Sequence, residues 1–313
     1  MPADQVERIE AVAGVRYVAV TADGRVHGEA ATLEQAEVLL RGGMSAAALD
    51  HLIGNAPQLR WLHSFSAGVD KVVTPLARSR GLTVTNARGV FSAPIAEYVV
   101  MMLLAVARRL PQLLELQRER TWQPLRGREL SDLTVGIVGF GSIGHEVARL
   151  LAPFGTRVLA TRRHPEHGAG DAANVELLGL DQLDELLRAS DVVVVAAPLT
   201  EETAGLIGAH ELQEMREDAY LFNIARGRLI DEIALRRALD SGWIGGAVLD
   251  VFTEEPLPPD SPLYDAPNVI ITPHTSWSSN RVLERSIGLF VGNLERYVAG
   301  GPLENVVDLE AGY

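Results

Sequence analysis

The sequence predicts an α/β protein built from two doubly wound domains, each with a parallel sheet. Its 313 residues are about twice the usual length of one domain. Short apolar runs alternate with amphipathic stretches along most of the chain, as they do in β/α units. Several of these runs are apolar on both faces, which is typical of strands that helices cover on both sides.

The first hundred residues carry the first set of β/α units. We expect strands over Val15–Val20, Leu59–Phe65 and Leu82–Thr85 and a helix over Leu33–Arg41. A long apolar helical stretch follows over Ala93–Leu116. Pro111 should kink or split that helix, because proline lacks one backbone donor and clashes with the preceding turn.

A second and clearer set of β/α units begins near residue 133. Its strand-like runs are Thr134–Val138, Thr156–Thr161, Asp191–Ala196, Ala219–Asn223, Gly245–Leu249 and Val269–Thr272. Its helix-like runs are Ile143–Phe154, Leu180–Ala189 and Glu232–Ser241, and a last helix covers Ser278–Ala299. We expect this last helix to return to the first domain, since no strand-rich unit follows it. The predicted domains are residues 1–98 plus 279–313 and residues 99–278.

The composition argues against several classes of function. A net charge of −13 repels phosphates and disfavours unspecific binding to nucleic acid or to anionic membranes. The chain has no cysteine, which excludes disulfides, thiolate nucleophiles and sulfur-based zinc sites, and we expect no metal. The most apolar segment, Val99–Ala107, is about half the length needed to cross a bilayer. Met1–Glu10 has no basic stretch leading into an apolar run, so we expect a soluble, cytoplasmic protein.

Residues 135–144 read VGIVGFGSIG, an apolar strand that runs into a glycine turn and then a helix. In this context Gly139 allows the tight turn, and Gly141 lets the backbone approach a pyrophosphate. Gly144 lets the helix pack closely on the strand, and the helix N-terminus faces the anion. The segment predicts a dinucleotide site; the alternative is an ordinary tight turn that binds nothing.

The end of the next strand indicates which dinucleotide the site prefers. A domain that binds NAD(H) usually places Asp or Glu there to bond the adenosine ribose, whereas this chain has Thr161, Arg162 and Arg163. Guanidinium groups attract a 2′-phosphate and can grip it with paired hydrogen bonds. We therefore predict a preference for NADP(H), with NAD(H) as a second cofactor. The alternative is that the two arginines are solvated charges at a strand end.

Three later strand ends carry residues suited to proton-coupled hydride transfer. Arg226 follows an apolar strand in FNIARG, Glu254 and Glu255 follow another in LDVFTEEP, and His274 ends ITPH. The carboxyl ends of strands in an open α/β sheet border the ligand crevice. A 2-oxo acid needs its carboxylate and carbonyl oriented, its carbonyl polarised and a proton delivered to the developing alkoxide.

These residue types match those needs. Arginine can orient and polarise the substrate, histidine is the usual proton donor, and a carboxylate bonded to histidine favours the imidazolium and fixes its tautomer. Taken singly, Arg226 could be a surface charge, His274 a core histidine and the glutamates solvated loop acids. Their joint occurrence after a dinucleotide motif favours an oxidoreductase acting on a small oxo acid.

These segments resemble the D-isomer-specific 2-hydroxyacid dehydrogenase family over nearly the whole chain. The matching pieces are Ser66–Asp70, Asn86, Ala96–Glu97, residues 135–144, Ala197–Thr200, Asn223–Gly227, Leu249–Phe252, Glu255–Pro256 and Thr272–His274. The resemblance implies Rossmann-like or flavodoxin-like domains with an inter-domain cleft, the first binding substrate and the second binding the dinucleotide. It also implies a homodimer formed through the second domain, with the helical stretch Ala93–Leu116 taking part.

The resemblance also implies roles for single residues. Arg226 would bind the substrate carboxylate and carbonyl, His274 would be the acid/base and Glu255 its partner, while Asp250 would bond the nicotinamide carboxamide. The residues expected to contact the substrate are Ala67, Gly68, Val69, Arg226 and Trp277. The residues expected to contact the cofactor are Gly139, Phe140, Gly141, Ser142, Ile143, Thr161, Arg162, Arg163, Ala197, Pro198, Thr203, Ile224, Ala225, Asp250 and His274.

Two departures from the family pattern refine the expected activity. The run Thr161–Arg163 resembles the NADPH-using glyoxylate/hydroxypyruvate reductases of the family. Trp277 stands where many relatives carry small residues; it would either line the pocket and limit substrate size or be a core residue before the last helix. We therefore expect NADPH-dependent reduction of a small 2-oxo acid, of the glyoxylate or hydroxypyruvate kind, to the D-2-hydroxy acid.

Two alternatives to this activity stay open. One is a non-catalytic, cofactor-sensing protein resembling a corepressor of the same fold, although the full Arg–Glu–His set favours turnover. The other is a different enzyme of the family, a phosphoglycerate- or phosphite-type dehydrogenase. Formate oxidation is disfavoured, because the relatives that perform it carry glutamine where this chain has Glu255.

Overall fold

The structure is a computed structural model that describes residues 1–21, 25–27, 33–69, 72–170, 172 and 174–309. The chain divides into two compact units, residues 1–91 plus 279–313 (unit 1) and residues 92–278 (unit 2). The predicted boundary at 98/99 would fall inside the helix Ser92–Ala107. Unit 2 instead begins at the first residue of that helix.

The elements alternate along the chain between strand and helix. The strands are β1 (Ala19–Val20), β2 (Val26–His27), β3 (Val38–Arg41), β4 (Trp61–Ser64), β5 (Thr83–Thr85), β6 (Thr134–Val138), β7 (Arg157–Thr161), β8 (Val175–Leu178), β9 (Val192–Val195), β10 (Tyr220–Asn223), β11 (Gly246–Leu249) and β12 (Val269–Ile271). The α-helices are α1 (Ala3–Glu10), α2 (Ala46–Asn55), α3 (Pro75–Ser79), α4 (Ser92–Ala107), α5 (Leu110–Arg118), α6 (Ser142–Leu151), α7 (Leu183–Ala189), α8 (Ala209–Glu214), α9 (Glu232–Asp240) and α10 (Val282–Val298).

Unit 1 contains a parallel sheet in the order β3-β4-β5, and β1 and β2 form a separate antiparallel pair. The prediction of a helix over Leu33–Arg41 was wrong for its second half, which is β3. Each residue of Val38–Arg41 pairs with a residue of β4, and this long-range pairing overrides the local helical periodicity. The predicted strand Val15–Val20 is reduced to β1.

The last helix, α10, packs within unit 1 through an aromatic cluster. Its Phe290 stacks on Trp61 of β4 with ring centroids 5.4 Å apart, and Tyr297 contacts the same indole at 5.4 Å. Trp61 is fully buried and donates a hydrogen bond from Nε1 to Thr85 Oγ1 over 2.8 Å. A helix more than two hundred residues later in the chain therefore completes the core beside β4.

A buried histidine in this cluster makes the stability of unit 1 depend on pH. His63 is fully buried, and its Nδ1 lies 2.7 Å from Thr85 Oγ1. Burial lowers the pKa of His63 to about 4 from its ordinary value of 6.5, because the imidazolium would be desolvated. Unfolded chains take up the proton below pH 6.5 while folded ones do not, so stability from this group is complete above pH 6.5. It is then lost as the pH falls toward 4.

We expect the free energy of unfolding to fall by ~2 kcal/mol between pH 7.5 and pH 5 from His63 alone. The measurement is urea unfolding of the wild type and of His63→Gln at both pH values. The glutamine variant cannot titrate at this position, so its loss should be smaller by that amount. Equal losses in the two proteins would contradict the assignment.

Unit 2 contains a parallel sheet of seven strands in the order β12-β11-β10-β9-β6-β7-β8. The chain starts in the middle at β6, winds outward through β7 and β8, and then resumes at β9 on the other side of β6. This is the order of a doubly wound dinucleotide-binding sheet, whose ligand crevice lies where the winding reverses. The predicted α/β class is confirmed, and the switch point lies between β6 and β9.

The remaining predictions for unit 2 differ from the structure in three places, one of which is the short helix α8, which was not predicted. The long helical stretch is split into α4 and α5, as expected from Pro111, but the break lies at Arg109, which adopts a left-handed conformation with φ of 55°. Strand β8 was not predicted, because its sequence VELL is short and lies on the sheet edge. Within the described part of the chain, no helix has both the length and the apolar character needed to cross a bilayer.

Candidate active site

The turn after β6 has the geometry that a bound dinucleotide requires. Gly139 has φ of 99°, and a Cβ there would stand 2.6 Å from the backbone of Ala197. A Cβ on Gly144 would stand 2.8 Å from the carbonyl oxygen of Gly139, so both glycines keep α6 close to the sheet. A Cβ on Gly141 would meet nothing within 4 Å, which leaves the backbone at the start of α6 open to a ligand.

The predicted residues around this turn have distinct positions. Phe140 is buried, whereas Ser142 is exposed and Ile143 half-buried at the start of α6. Thr161, at the end of β7, is buried and accepts a hydrogen bond at Oγ1 from the Gly139 amide over 3.3 Å. Its carbonyl accepts from the Phe140 amide over 2.9 Å. Thr161 therefore ties the glycine turn to the neighbouring strand.

The two arginines after Thr161 lie on the surface next to the glycine turn. Arg163 is exposed, and its Nη2 lies 2.8 Å from Glu202 Oε2 in the loop after β9. Arg162 donates from Nη1 to the carbonyl of Gly168 over 3.0 Å. Among the described residues no acidic side chain occupies the end of β7, since Thr161–His164 contains none. The site carries positive charge where an NAD-specific domain would carry a carboxylate.

The loop after β9 is closed by two threonines. Thr203 Oγ1 donates to the carbonyl of Pro198 over 2.7 Å and accepts from the Thr200 amide over 2.8 Å. The Thr203 amide in turn lies 3.3 Å from Thr200 Oγ1. Ala197 is buried beside Gly139, and Pro198 is exposed. The loop therefore borders the switch point of the sheet with a fixed conformation.

The turn after β10 carries Arg226 and is shaped by Asn223. The buried Asn223 side chain donates from Nδ2 to the Arg226 carbonyl over 2.9 Å and accepts at Oδ1 from the Ala225 amide over 3.2 Å. Ile224 is buried and Ala225 half-buried in the same turn. Arg226 is half-buried and donates from Nη1 to the Ala225 carbonyl over 2.7 Å.

Gly227 places this arginine turn against the loop that follows β11. A Cβ on Gly227 would stand 1.9 Å from the carbonyl carbon of Phe252 and 2.2 Å from the amide nitrogen of Thr253. Only glycine fits at such a distance, because the neighbours are backbone atoms that cannot turn aside. The Arg226 turn and the 252–255 loop are therefore in direct contact.

Glu255 and His274 form the predicted pair. Oε2 of Glu255 lies 2.8 Å from Nδ1 of His274, and Oε1 accepts a hydrogen bond from the Phe252 amide over 3.0 Å. Both side chains are about two-fifths exposed. Because Nδ1 is held by the carboxylate, Nε2 is the nitrogen left to exchange a proton with a ligand. The strands β11 and β12 are neighbours in the sheet, so their ends bring the two residues together.

Asp250, directly after β11, is buried and holds the turn of residues 272–276. Its Oδ1 accepts from Thr272 Oγ1 over 2.6 Å and from the Thr275 amide over 2.8 Å, and its Oδ2 accepts from the Ser276 amide over 2.9 Å. Its backbone carbonyl accepts from the His274 amide over 2.8 Å. This role in the turn was not predicted from the sequence; contact with a nicotinamide carboxamide stays a prediction.

Trp277 lies beside the histidine and is not a core residue. Its side chain is 42% exposed, and Nε1 donates to the His274 carbonyl over 2.7 Å.

In unit 1, the predicted carboxylate-binding segment Ala67–Val69 follows β4, where Asn86 Nδ2 donates to the Ala67 carbonyl over 2.8 Å. Asp70, the last residue of the matching segment there, lies outside the described residues.

Three side chains of this region were not predicted from the sequence to have a role. Asn223 carries a signal that could have found it, since a polar residue ends a fully apolar strand. Thr272 is part of a short matching segment but received no role. Tyr98 lies in α4, and its hydroxyl is 2.7 Å from Thr272 Oγ1 although 174 residues separate the two in the chain. Nothing in the local sequence signals that contact.

Comparison with known proteins identifies the family. Residues 100–276 match the profile of the D-isomer specific 2-hydroxyacid dehydrogenase family, NAD binding domain. A glyoxylate reductase of Korarchaeum cryptofilum is 36% identical over 261 residues, which are 82% of this chain and 78% of the relative.

Solved structures give the same result. A D-isomer specific 2-hydroxyacid dehydrogenase from Xanthobacter autotrophicus Py2, in complex with NADPH and MES, superposes with a TM-score of 0.87 at 33% identity and covers 100% of this chain and 96% of its own. An NADPH-dependent glyoxylate/hydroxypyruvate reductase from Sinorhizobium meliloti, in complex with NADP and sulfate, gives 0.85 at 30% identity and covers 100% and 97%. This chain belongs to the D-isomer specific 2-hydroxyacid dehydrogenase family.

Proposed function

We propose that this protein reduces a small 2-oxo acid, of the glyoxylate or hydroxypyruvate kind, to the D-2-hydroxy acid with NADPH. The observation that carries the proposal is the His274–Glu255 pair at 2.8 Å on adjacent strand ends of a dinucleotide-binding sheet. The Arg226 turn contacts the same loop. Membership in a family of NAD(P)-dependent oxidoreductases and the likeness to glyoxylate reductases give further support.

The proposed mechanism assigns one task to each residue. Arg226 binds the substrate carboxylate and polarises the carbonyl, and His274 delivers a proton from Nε2 to the oxygen as it gains charge. Glu255 stabilises the imidazolium from the Nδ1 side and fixes the ring. The bound nicotinamide would supply the hydride. We further propose unit 1, with the backbone of Ala67–Val69, as the substrate domain and unit 2 as the cofactor domain.

The test of the reaction is loss of NADPH absorbance with glyoxylate, hydroxypyruvate and phenylpyruvate in turn. We expect turnover with at least one of the two smaller acids, and the product should be the D isomer by chiral chromatography. No turnover with any oxo acid, together with tight NADPH binding, would contradict the proposal and favour a cofactor sensor.

The proposed preference for NADPH depends on Arg162 and Arg163. A 2′-phosphate would replace the Glu202 carboxylate as the partner of Arg163, because it offers more charge and more acceptor oxygens. We expect the wild type to bind NADPH more tightly than NADH. The double variant Arg162→Ala, Arg163→Ala should lose ~10–100-fold in NADPH affinity and almost nothing in NADH affinity.

The control for that experiment is Arg157→Ala. Arg157 is an exposed arginine at the start of the same strand, paired with Glu176 over 2.8 Å, so its loss removes one positive charge from the opposite end of that strand. Fluorescence titration with both cofactors measures the affinities. A wild type that prefers NADH, or an equal loss in the control, would contradict the role of the two arginines.

Glu255→Gln should shift the pH profile of reduction to lower pH. The amide keeps the size of the side chain and can still bond Nδ1, but it removes the negative charge that stabilises the imidazolium. The acid form of His274 would then persist only at lower pH, so kcat at pH 8 should fall more than kcat at pH 6. Steady-state rates across pH 5–9 measure the shift, and Glu254→Gln is the matched control. An unchanged profile would show that Glu255 does not support the proton donor.

We also propose a homodimer that forms through the α4–α5 region of unit 2. Large apolar side chains stand exposed there: Met101, Leu104, Leu110, Leu113, Leu114 and Trp122. Trp122 is completely exposed, which is unusual for a side chain of its size. Sedimentation should give twice the chain mass for the wild type, and Leu113→Glu with Leu114→Glu should shift it toward the monomer.

Because the reaction consumes a reduced cofactor that cells regenerate internally, we propose that the enzyme acts in the cytoplasm.

A further inference from the structure

We propose that Thr272 and Tyr98 are positioning residues that hold the His274 turn in its reactive conformation through Asp250. The proposal rests on the function proposed above, in which His274 is the proton donor. Thr272 and Tyr98 act through a chain of hydrogen bonds that ends on the backbone amides of the two residues after His274.

The direction of each hydrogen bond in this chain follows from the groups present. A carboxylate can only accept, so the Thr272 hydroxyl hydrogen points to Asp250 Oδ1 over 2.6 Å. Thr272 Oγ1 is then free to accept only, and Tyr98 must donate to it over 2.7 Å. Burial, together with the nearby charge of Asp250, raises the pKa of Tyr98 to about 12, so the phenol keeps its proton for this bond.

The acceptor end of the chain fixes the backbone around the histidine. Asp250 receives three hydrogen bonds on its carboxylate, from the Thr272 hydroxyl and from the amides of Thr275 and Ser276. A fourth, from the His274 amide, reaches its carbonyl oxygen. With both Oδ1 acceptor positions taken, Asp250 has one remaining position, on Oδ2.

The His274 backbone needs this restraint because of its conformation. His274 has φ of 50°, in the left-handed region that side chains other than glycine adopt at a cost. Such a residue persists when its surroundings over-determine it. The backbone amides of His274 and of the two residues after it donate hydrogen bonds to Asp250. These hydrogen bonds provide that restraint and thereby orient the ring toward Glu255.

Loss of the Thr272 hydroxyl would break both side-chain hydrogen bonds between Tyr98 and Asp250. Without this hydroxyl, Asp250 loses one of its donors and Tyr98 loses the Thr272 acceptor, so the carboxylate can rotate and release the amides of Thr275 and Ser276. The left-handed turn would relax, and Nε2 of His274 would spend less time in position. We infer that kcat falls while binding of the adenosine end of the cofactor does not change.

The experiment compares three substitutions at two threonines of unit 2, the half-buried Thr272 and the buried Thr156. Thr272→Val removes the hydroxyl and keeps the shape, Thr272→Ser keeps the hydroxyl, and Thr156→Val is the control. The Thr156 hydroxyl donates over 3.0 Å to the Leu130 carbonyl, remote in sequence from the turn. Each protein is measured for kcat, KM, NADPH affinity and amide hydrogen exchange.

We expect Thr272→Val to lower kcat by ~10-fold, the loss that follows from one well-placed hydrogen bond, with KM for NADPH nearly constant. Exchange of the Thr275 and Ser276 amides should accelerate by a similar factor. Thr272→Ser should restore both within ~2-fold, and Tyr98→Phe should give an intermediate result. Thr156→Val should lower thermal stability without changing kcat or these two amides.

Two results would overturn the proposal. One is a Thr272→Val variant with wild-type kcat and wild-type exchange at Thr275 and Ser276. The other is a loss of kcat that Thr272→Ser does not restore, or that Thr156→Val reproduces, since either would indicate a general loss of stability. A wild type that reduces no oxo acid would contradict the proposed function alone, and the exchange data would still decide whether the restraint exists.

Discussion

Replacing His274 with alanine should lower kcat for oxo-acid reduction by ~10²–10⁴-fold, the usual contribution of a positioned general acid. The reason is geometric. Nδ1 of this ring is occupied by Glu255 at 2.8 Å, so the proposed proton delivery depends on Nε2 of the same ring. A water molecule could donate a proton in place of His274, but Glu255 would not orient it. NADPH affinity should change little, because the glycine turn and the arginines after β7 remain intact.

The control for this variant is His210→Ala. His210 is an exposed histidine of α8 in the same unit, 3.4 Å from Asp184, and it belongs to a surface ion pair. Its loss should leave kcat within twofold of the wild type. Stopped-flow rates at saturating NADPH separate the chemical step from cofactor binding. Near-normal turnover by His274→Ala would mean that the proton comes from another group.

Replacing Arg226 with alanine should be as damaging but should change different constants. The guanidinium is proposed to bind the substrate carboxylate and to polarise the carbonyl, so both KM and kcat should suffer. Removing one donor to a developing oxyanion typically costs ~10²–10³-fold in kcat. Arg226→Lys should recover only part of the loss, because an ammonium keeps the charge but lacks the planar fork of donors.

The chain offers a close control in Arg228, two residues later and exposed. Arg228→Ala removes the same charge from the same turn without touching the proposed site, so kcat/KM should stay within ~2–3-fold, a range set by weak surface electrostatics. Saturation kinetics with the best substrate of the panel supply the constants. If Arg226→Ala and Arg228→Ala lose equally, the effect is the net charge of the turn rather than recognition of a carboxylate.

The parts of this site that are local in sequence were predictable, and the parts that depend on distant partners were not. The glycine turn could be predicted because its strand, turn and helix are contiguous, and the positions of Gly139, Gly141 and Gly144 agree with the expected geometry. Glu255 and His274 are only 19 residues apart and end neighbouring strands. A regular parallel sheet places such ends together.

The features that were not predicted depend on contacts between residues that are distant in the sequence. β3 was predicted as part of a helix because its partner, β4, is some twenty residues away and the local periodicity carries no sign of that pairing. The contact of Tyr98 with Thr272 joins the first helix of unit 2 to its last strand end. A buried polar chain of this kind is set by three-dimensional packing, and no spacing rule along the sequence could have found it.

The close approach at Gly227 constrains how this enzyme could be re-engineered. The turn that offers the guanidinium and the loop that offers the carboxylate share one backbone contact, with no room for even a methyl group between them. A change in the length or course of either segment would therefore displace the other. In the proposed mechanism, a change that moves Arg226 would therefore also move Glu255, which fixes the ring of the proposed proton donor.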